Sequence, residues 1–191
     1  ADITGNGFFF DERFSLLDCG AGDGRILKAL GAVEKFAIEK SEILRDMLDK
    51  DICVIGTDFN EQTLIDKKVD VLFSNPPYLE FAEWVKKIIR EANTALIYLI
   101  VPTRWKDNAE IQALLKLRQA EATVISTQDF NDADRQARAV VDIIRIEMGY
   151  CRRGNSHINV DPFDLWFEQN FNIKCQPTES SKHFQKNEQA K

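Results

Sequence analysis

The sequence predicts an α/β fold built on a mostly parallel sheet with helices on both faces, and three observations carry that prediction. Short apolar runs alternate with amphipathic stretches, the rhythm of successive βα units. Residues 95–101 are apolar without a break, as expected of a strand covered on both faces. The last two strand-like segments follow each other with no helical pattern between them, so they read as a closing β-hairpin.

Strands are expected at 15–19, 35–39, 53–57, 69–74, 95–101, 123–127 and 140–146, giving a seven-stranded sheet. Helices fit at 24–30, 41–48, 80–92 and 108–119. Ser41 is placed to cap the second helix, whose Leu44, Met47 and Leu48 form an apolar stripe. Phe81, Trp84, Val85, Ile88 and Ile89 do the same for the third. A charged connection, 129–138, joins the hairpin strands. Further on, Asp161-Pro162 opens a short helix with Pro162 at its first position. Phe163, Phe167 and Phe171 then recur every four residues; this face is expected to pack on the domain, with base stacking or partner binding as the alternative.

A chain of 191 residues suits one domain with a modest appendage. The expected division is a main domain over 1–149, a helical appendage over 150–175 packed on it, and a polar, disordered tail over 176–191. Apolar residues make up 44% and charged residues 29%, enough for a buried core and a soluble surface. No run of about 20 apolar residues exists to span a membrane, and residues 1–5 do not resemble a signal peptide. Cys19, Cys53, Cys151 and Cys175 lack the paired spacing of a zinc site, so no metal is expected. Cys19 and Cys53 lie in strand segments as small hydrophobes, and the setting is expected to be reducing and cytoplasmic. A net charge of −6 argues against a general nucleic-acid coat protein but leaves room for a local basic surface.

The chemistry begins at Asp18-Cys19-Gly20-Ala21-Gly22-Asp23-Gly24, where the chain leaves a strand and enters a helix. Glycines there let the backbone turn tightly and approach a ligand closely. The spacing is D-x-G-x-G-x-G rather than the G-x-G-x-x-G of dinucleotide binders. Asp18 and Asp23 would repel a pyrophosphate and suit a cationic or hydroxyl-rich ligand. S-adenosylmethionine (SAM), with an ammonium and a sulfonium, is such a ligand; a nicotinamide dinucleotide is the rival for this half of the chain. Glu39, ending the second strand, can accept bonds from two ribose hydroxyls. Asp58 and Phe59 follow the third strand, and all these residues stand at carboxyl ends of strands, where such sheets bind ligands.

The segment Asn75-Pro76-Pro77-Tyr78 favours SAM. Two consecutive prolines are stiff and hold the preceding residue extended, which fixes the Asn75 side chain and the Pro76 carbonyl as a pair of acceptors. Two acceptors can take both N–H groups of one amino group, while the Tyr78 ring supports a planar substrate. They also stabilise positive charge developing on nitrogen as it gains a methyl group. No cysteine nucleophile is needed, and no Pro-Cys pair of the cytosine-C5 kind is present.

Over roughly residues 6–148 the chain resembles the class I SAM-dependent methyltransferases that share the Asn-Pro-Pro-Tyr motif. It is most like phage-type adenine-N6 DNA methyltransferases. The resemblance implies a Rossmann-like methyltransferase fold for 1–149, and catalysis by Asn75, Pro76, Pro77 and Tyr78. It implies a SAM site of Asp18, Gly20, Ala21, Gly22, Glu39, Lys40, Asp58, Phe59 and Asn75, with Asp58 and Phe59 taking the adenine amino group and ring face. The segment 4–10, with its phenylalanine run, matches loosely the place where such enzymes contact the methionine end of SAM. No target-recognition domain fits between the two motifs or after them. Recognition is therefore expected either to be minimal or to reside outside this chain, which opens on Ala1 rather than Met.

Within that group the motif serves adenine in DNA, adenine or guanine in RNA, and glutamine in release factors. The expected partner is nucleic acid, DNA ahead of RNA, with adenine-N6 as acceptor. Candidate substrate contacts are Tyr78, Arg104, Trp105, Lys106, Arg135 and Arg138, with Arg152 and Arg153 behind them. Trp105, an aromatic between two cations, makes 104–106 the first choice for that contact. A non-catalytic binding subunit with the same fold is the alternative of another class, and the sequence leaves the oligomeric state open.

Overall fold

The computed structural model describes residues 13–129, 140–148 and 161–171. The strands are β1 (Ser15–Cys19), β2 (Glu34–Ile38), β3 (Ile52–Gly56), β4 (Val71–Ser74), β5 (Leu96–Pro102), β6 (Glu121–Asp129) and β7 (Val140–Glu147). The helices are α1 (Arg25–Ala29), α2 (Glu42–Asp46), α3 (Phe81–Glu91), α4 (Ala109–Leu117) and α5 (Pro162–Asn170), with 3-10 turns at Phe59–Glu61 and Thr103–Asp107. No helix among the described residues is long and apolar enough to cross a membrane.

All seven strands form one sheet in the order β3-β2-β1-β4-β5-β7-β6. The first five are parallel, while β7 runs antiparallel to both β5 and β6. The expected hairpin is therefore present, with β7 inserted between β5 and β6. Alternation of side chains along each strand divides the core in two. Leu17, Cys19, Leu72, Ile97 and Leu99 face α3 and α4; Leu16, Val71, Phe73, Leu96 and Tyr98 face Leu27 of α1. Helices cover both faces because every central strand presents two apolar rows.

The chain turns from one half of the sheet to the other between β1 and β4. From β1 it proceeds outward through β2 to β3, then returns to pair β4 on the opposite side of β1. A reversal of this kind leaves a crevice at the carboxyl ends of the two central strands.

Three expectations need correction. The second helix stops at Asp46, and Met47 is exposed; only Leu44 and Leu48 of its stripe are half-buried, although Ser41 caps it as expected, accepting from Leu44 N–H. Cys53 faces outward, because β3 lies at the edge of the sheet. In α5, capped by Asp161, the residues turned inward are Pro162 and Leu165, while Phe163 and Phe171 are exposed and Phe167 is half-buried. Residues three apart share a helix face as well as those four apart, and here the i,i+3 row meets the domain. The phenylalanines cluster among themselves, with the Phe167 and Phe171 ring centroids 4.9 Å apart.

Arg118, after α4, is only 4% exposed. Its guanidinium donates to the carbonyls of Ile89, Arg90 and Ala92, which end α3 without intrahelical donors of their own. Burial pushes its pKa down to about 10, and the Asp161 carboxylate opposes that shift, so the group stays charged at neutral pH. Arg118 thus joins α3, α4 and the start of α5. Truncation to alanine strands three carbonyls, and Arg118→Ala should lower the unfolding free energy by about 2–3 kcal/mol. Urea titration measures this, and a loss under about 0.5 kcal/mol, typical of a surface site, contradicts the clasp.

Candidate active site

The glycine loop leaves β1 under tight backbone control. The N–H groups of Gly20 and Ala21 both donate to the Ile38 carbonyl at the end of β2, at 2.8 and 3.1 Å. Gly20 has φ +86°, a left-handed value that side chains disfavour, and a Cβ there would come within 3.4 Å of the Trp84 ring. Gly24, at φ +77°, begins α1, and a Cβ there would come within 2.8 Å of Leu48. The two glycines therefore permit the turn and the close packing of α1 beneath it. Above Gly22 the space is open, with nothing within 4 Å of where a Cβ would stand.

Glu39 stitches the loop to the next element. One carboxylate oxygen accepts from Gly22 N–H at 2.7 Å, the other from Ser41 N–H at 2.8 Å. Each oxygen retains a lone pair for a further donor. Asp18 lies below the loop, 2% exposed, and one of its oxygens is buried without any hydrogen-bond partner. Burial, reinforced by the nearby Glu39 charge, raises the Asp18 pKa to about 8, so its carboxyl is mostly protonated at neutral pH. A cation beside this carboxyl would favour its ionised form.

Asp58 caps the 3-10 turn, accepting from Asn60 N–H at 2.9 Å and from Lys40 Nζ at 2.8 Å. The Lys40 bond holds the Asp58 carboxyl below the usual range. Lys40 itself is exposed, so this bond can open to a ligand. Phe59 is not the open ring face expected: it is buried and stacked on Trp84, with centroids 3.9 Å apart and planes 17° off parallel. Trp84, which the periodicity assigns to the core stripe of α3, thereby supports both Phe59 and the glycine loop.

The second motif ends β4 beside β1. Cys19 and Ser74 are paired across the two strands, and the buried Ser74 hydroxyl donates to the Cys19 carbonyl at 2.6 Å. Immediately beyond, Asn75 is exposed, Pro76 buried and Pro77 exposed. Neither the Asn75 side chain nor the Pro76 carbonyl accepts a bond from a described residue, so both acceptors remain available. A turn closed by Glu80 N–H on the Pro77 carbonyl, at 2.9 Å, presents Tyr78, which is 40% exposed.

The 3-10 turn after β5 divides the rim candidates. Arg104 reaches the Tyr78 ring. Trp105 is 5% exposed, and its indole N–H donates to the buried Asp142 of β7 at 3.0 Å; it faces the core rather than the surface, which corrects its expected place on the rim. Lys106 Nζ pairs with the same carboxylate at 2.9 Å. The sequence offers no local signal for this, since Asp142 lies far along the chain, in a strand whose pairing the periodicity does not reveal. Arg135, Arg138, Arg152 and Arg153 lie outside the described residues. Among the described residues no group of three or more candidate ligands could hold a metal ion.

No known protein family matches the sequence, and no curated protein is similar to it in sequence. Solved structures are similar in fold. The 23S rRNA methyltransferase ErmE matches with a TM-score of 0.60 at 13% identity, over 76% of this chain and 65% of its own. A dimethyladenosine transferase from Plasmodium falciparum matches with a TM-score of 0.60 at 14% identity, over 72% of this chain and 57% of its own. This chain thus spans less than two thirds of either. The E. cuniculi Mtq2–Trm112 complex, responsible for methylation of the eRF1 translation termination factor, gives a TM-score of 0.56 at 17% identity over 73% of this chain and 88% of the other. The mostly parallel seven-stranded sheet is therefore the Rossmann-like architecture that these methyltransferases share.

Proposed function

We propose that the protein is a SAM-dependent N-methyltransferase acting on a planar amino group, with the N6 amino group of adenine in DNA as the first acceptor to test. The observation that supports this is that Asn75 and Pro76 follow the tip of β4, which pairs with β1 where the glycine loop begins, and accept no bond from a described residue there.

The residues fit the cofactor. Asp18 offers a buried, unpartnered oxygen to a cationic ligand, and the space above Gly22 admits a close approach. Glu39 has lone pairs left for ribose hydroxyls, and Asp58 becomes available to an amino group when Lys40 releases it. When bound, SAM would supply an electrophilic methyl carbon, so that the acceptor nitrogen's lone pair would form the N–C bond, the C–S pair would stay on sulfur, and the amine proton would pass to solvent. The chain's own part is positioning and charge. Asn75 and Pro76 take the two N–H bonds, turn the lone pair out of the ring plane, and stabilise the developing positive charge. Tyr78 supports the ring. Extruding a base from a duplex costs a few kcal/mol, which these contacts offset. The structural neighbours named for rRNA, dimethyladenosine and a termination factor make RNA and a glutamine side chain the alternatives.

Incubation with methyl-labelled SAM and DNA, RNA or glutamine peptide, followed by nucleoside and peptide mass spectrometry, identifies the acceptor. N6-methyladenine in DNA is the expected product; label in RNA or glutamine alone overturns the DNA assignment, and no transfer to any of them overturns the activity. Asn75→Ala should retain SAM binding by calorimetry while turnover falls on the order of 100-fold or more; unchanged turnover contradicts its role.

Asp18 generates a pH dependence. Its pKa of about 8 lies above the ordinary 3.8, so binding a cation to the ionised form must first release a proton at lower pH. SAM affinity should therefore rise as pH increases toward 8, with proton release visible in buffers of different ionisation enthalpy. In Asp18→Asn the dependence should flatten. A wild-type affinity that is level from pH 6 to 8 contradicts this assignment.

A further inference from the structure

Arg104 is exposed, yet two rings and a carbonyl engage it. Its guanidinium centre lies 4.8 Å from the Tyr78 ring centroid and 4.9 Å from that of Phe81, within cation–π distance of both. One of its N–H groups donates to the Tyr78 carbonyl at 3.3 Å. Phe81 is buried at the start of α3, so the stack stands on the core. No described carboxylate pairs with Arg104, although acidic residues outnumber Lys and Arg by 31 to 25 in the sequence. Its neighbour Lys106 is already engaged by Asp142. An arginine held against two rings, with no counter-ion among the described residues of an acidic protein, suits an anion that comes from outside.

We propose that Arg104 binds a backbone phosphate of a polynucleotide next to the base received by Tyr78, an inference that rests on the acceptor role given to Tyr78 above. A guanidinium presents its N–H edges in its own plane, where they match two oxygens of a phosphodiester. Only one of its five donors is used by the Tyr78 carbonyl. The ring and carbonyl contacts also lower the ordering cost of binding, because they already restrict the side chain. A glutamine side chain on a protein brings no such anion, so Arg104 selects polynucleotide over peptide at the same corner. DNA and RNA share the phosphodiester, and the measurement separates them.

The test uses the full chain and fluorescence anisotropy with labelled single-stranded DNA, RNA of the same sequence, an abasic DNA strand and a glutamine peptide, over a salt series. The expected result is that Arg104→Ala raises Kd for the bound polynucleotide, and for the abasic strand, by roughly tenfold or more. The slope of log K against log salt should also shrink by about 0.7, one phosphate contact on a single strand. Arg104→Lys should keep the slope while losing part of the affinity, since charge remains and the fork does not. Circular dichroism checks that both variants are folded. Unchanged affinity overturns the inference. So does weakened binding with an unaltered slope, which marks Arg104 as a support for Tyr78, and so does wild-type protein that binds only the peptide. SAM titration of the wild type separates the two proposals: Arg104-dependent polynucleotide binding without SAM binding defeats the methyltransferase reading alone.

Discussion

The contact between β1 and β4 is the constraint from which the site follows. These two strands start opposite halves of the sheet, and their pairing ends at Cys19 opposite Ser74. The residues that come next on each strand are Gly20 and Asn75, so the register alone puts the glycine loop beside the Asn75–Pro76 segment. The Ser74 hydroxyl, bonded to the Cys19 carbonyl and shielded from water, removes slack at that point. A slip of one residue would exchange the residues of β4 between two differently packed core clusters and part the Ser74 hydroxyl from the Cys19 carbonyl. Hydrophobic patterning, which is indifferent to chemistry, thereby fixes the separation of two chemical groups.

Electrostatics in the crevice follow a different logic from the surface. Solvent-accessible acids such as the half-buried Asp23 and the exposed Asp51 are paired with Arg25 and Lys35 and depressed in pKa by those partners. Asp18 has no such partner and is driven the other way by burial and by Glu39. A buried polar atom without a partner is destabilising in the empty protein, and proteins retain such defects where a ligand completes them. Within a chain of net charge −6, the buried carboxyl of Asp18 and the exposed guanidinium of Arg104 are thus two separate electrostatic environments.

Much of the architecture was legible in the sequence because period 2 and period 3.6 are local properties. The strands at 15–19 and 140–146 and the long apolar stripe of α3 needed no knowledge of their partners, and the hairpin followed from a missing helix. The glycine loop and the Asn75–Tyr78 segment were legible for a related reason: each is contiguous, and its backbone chemistry dictates its shape. What escaped were contacts between distant residues. Trp105 sits between two cations in sequence and looks like a surface aromatic, yet Asp142, 37 positions away, draws it inward. Phe59 looks available after a strand end, but Trp84 on a later helix covers it. The α5 phenylalanines show that a regular apolar spacing identifies a helix without saying which of its rows meets the domain.

The turn at Thr103–Asp107 carries a further consequence. Its consecutive residues are tied to different elements, Trp105 and Lys106 to the hairpin through Asp142, and Arg104 to Tyr78. Thr127 on β6 donates to the same carboxylate at 2.6 Å, so all three peripheral elements share one anchor. The described strands of the hairpin are therefore a buttress for the turn that bears Arg104, and through it for Tyr78. Sequence drift in these strands is mechanically coupled to the segment after β4, and a disturbance at Asp142 would be felt by Tyr78 through a single intervening turn.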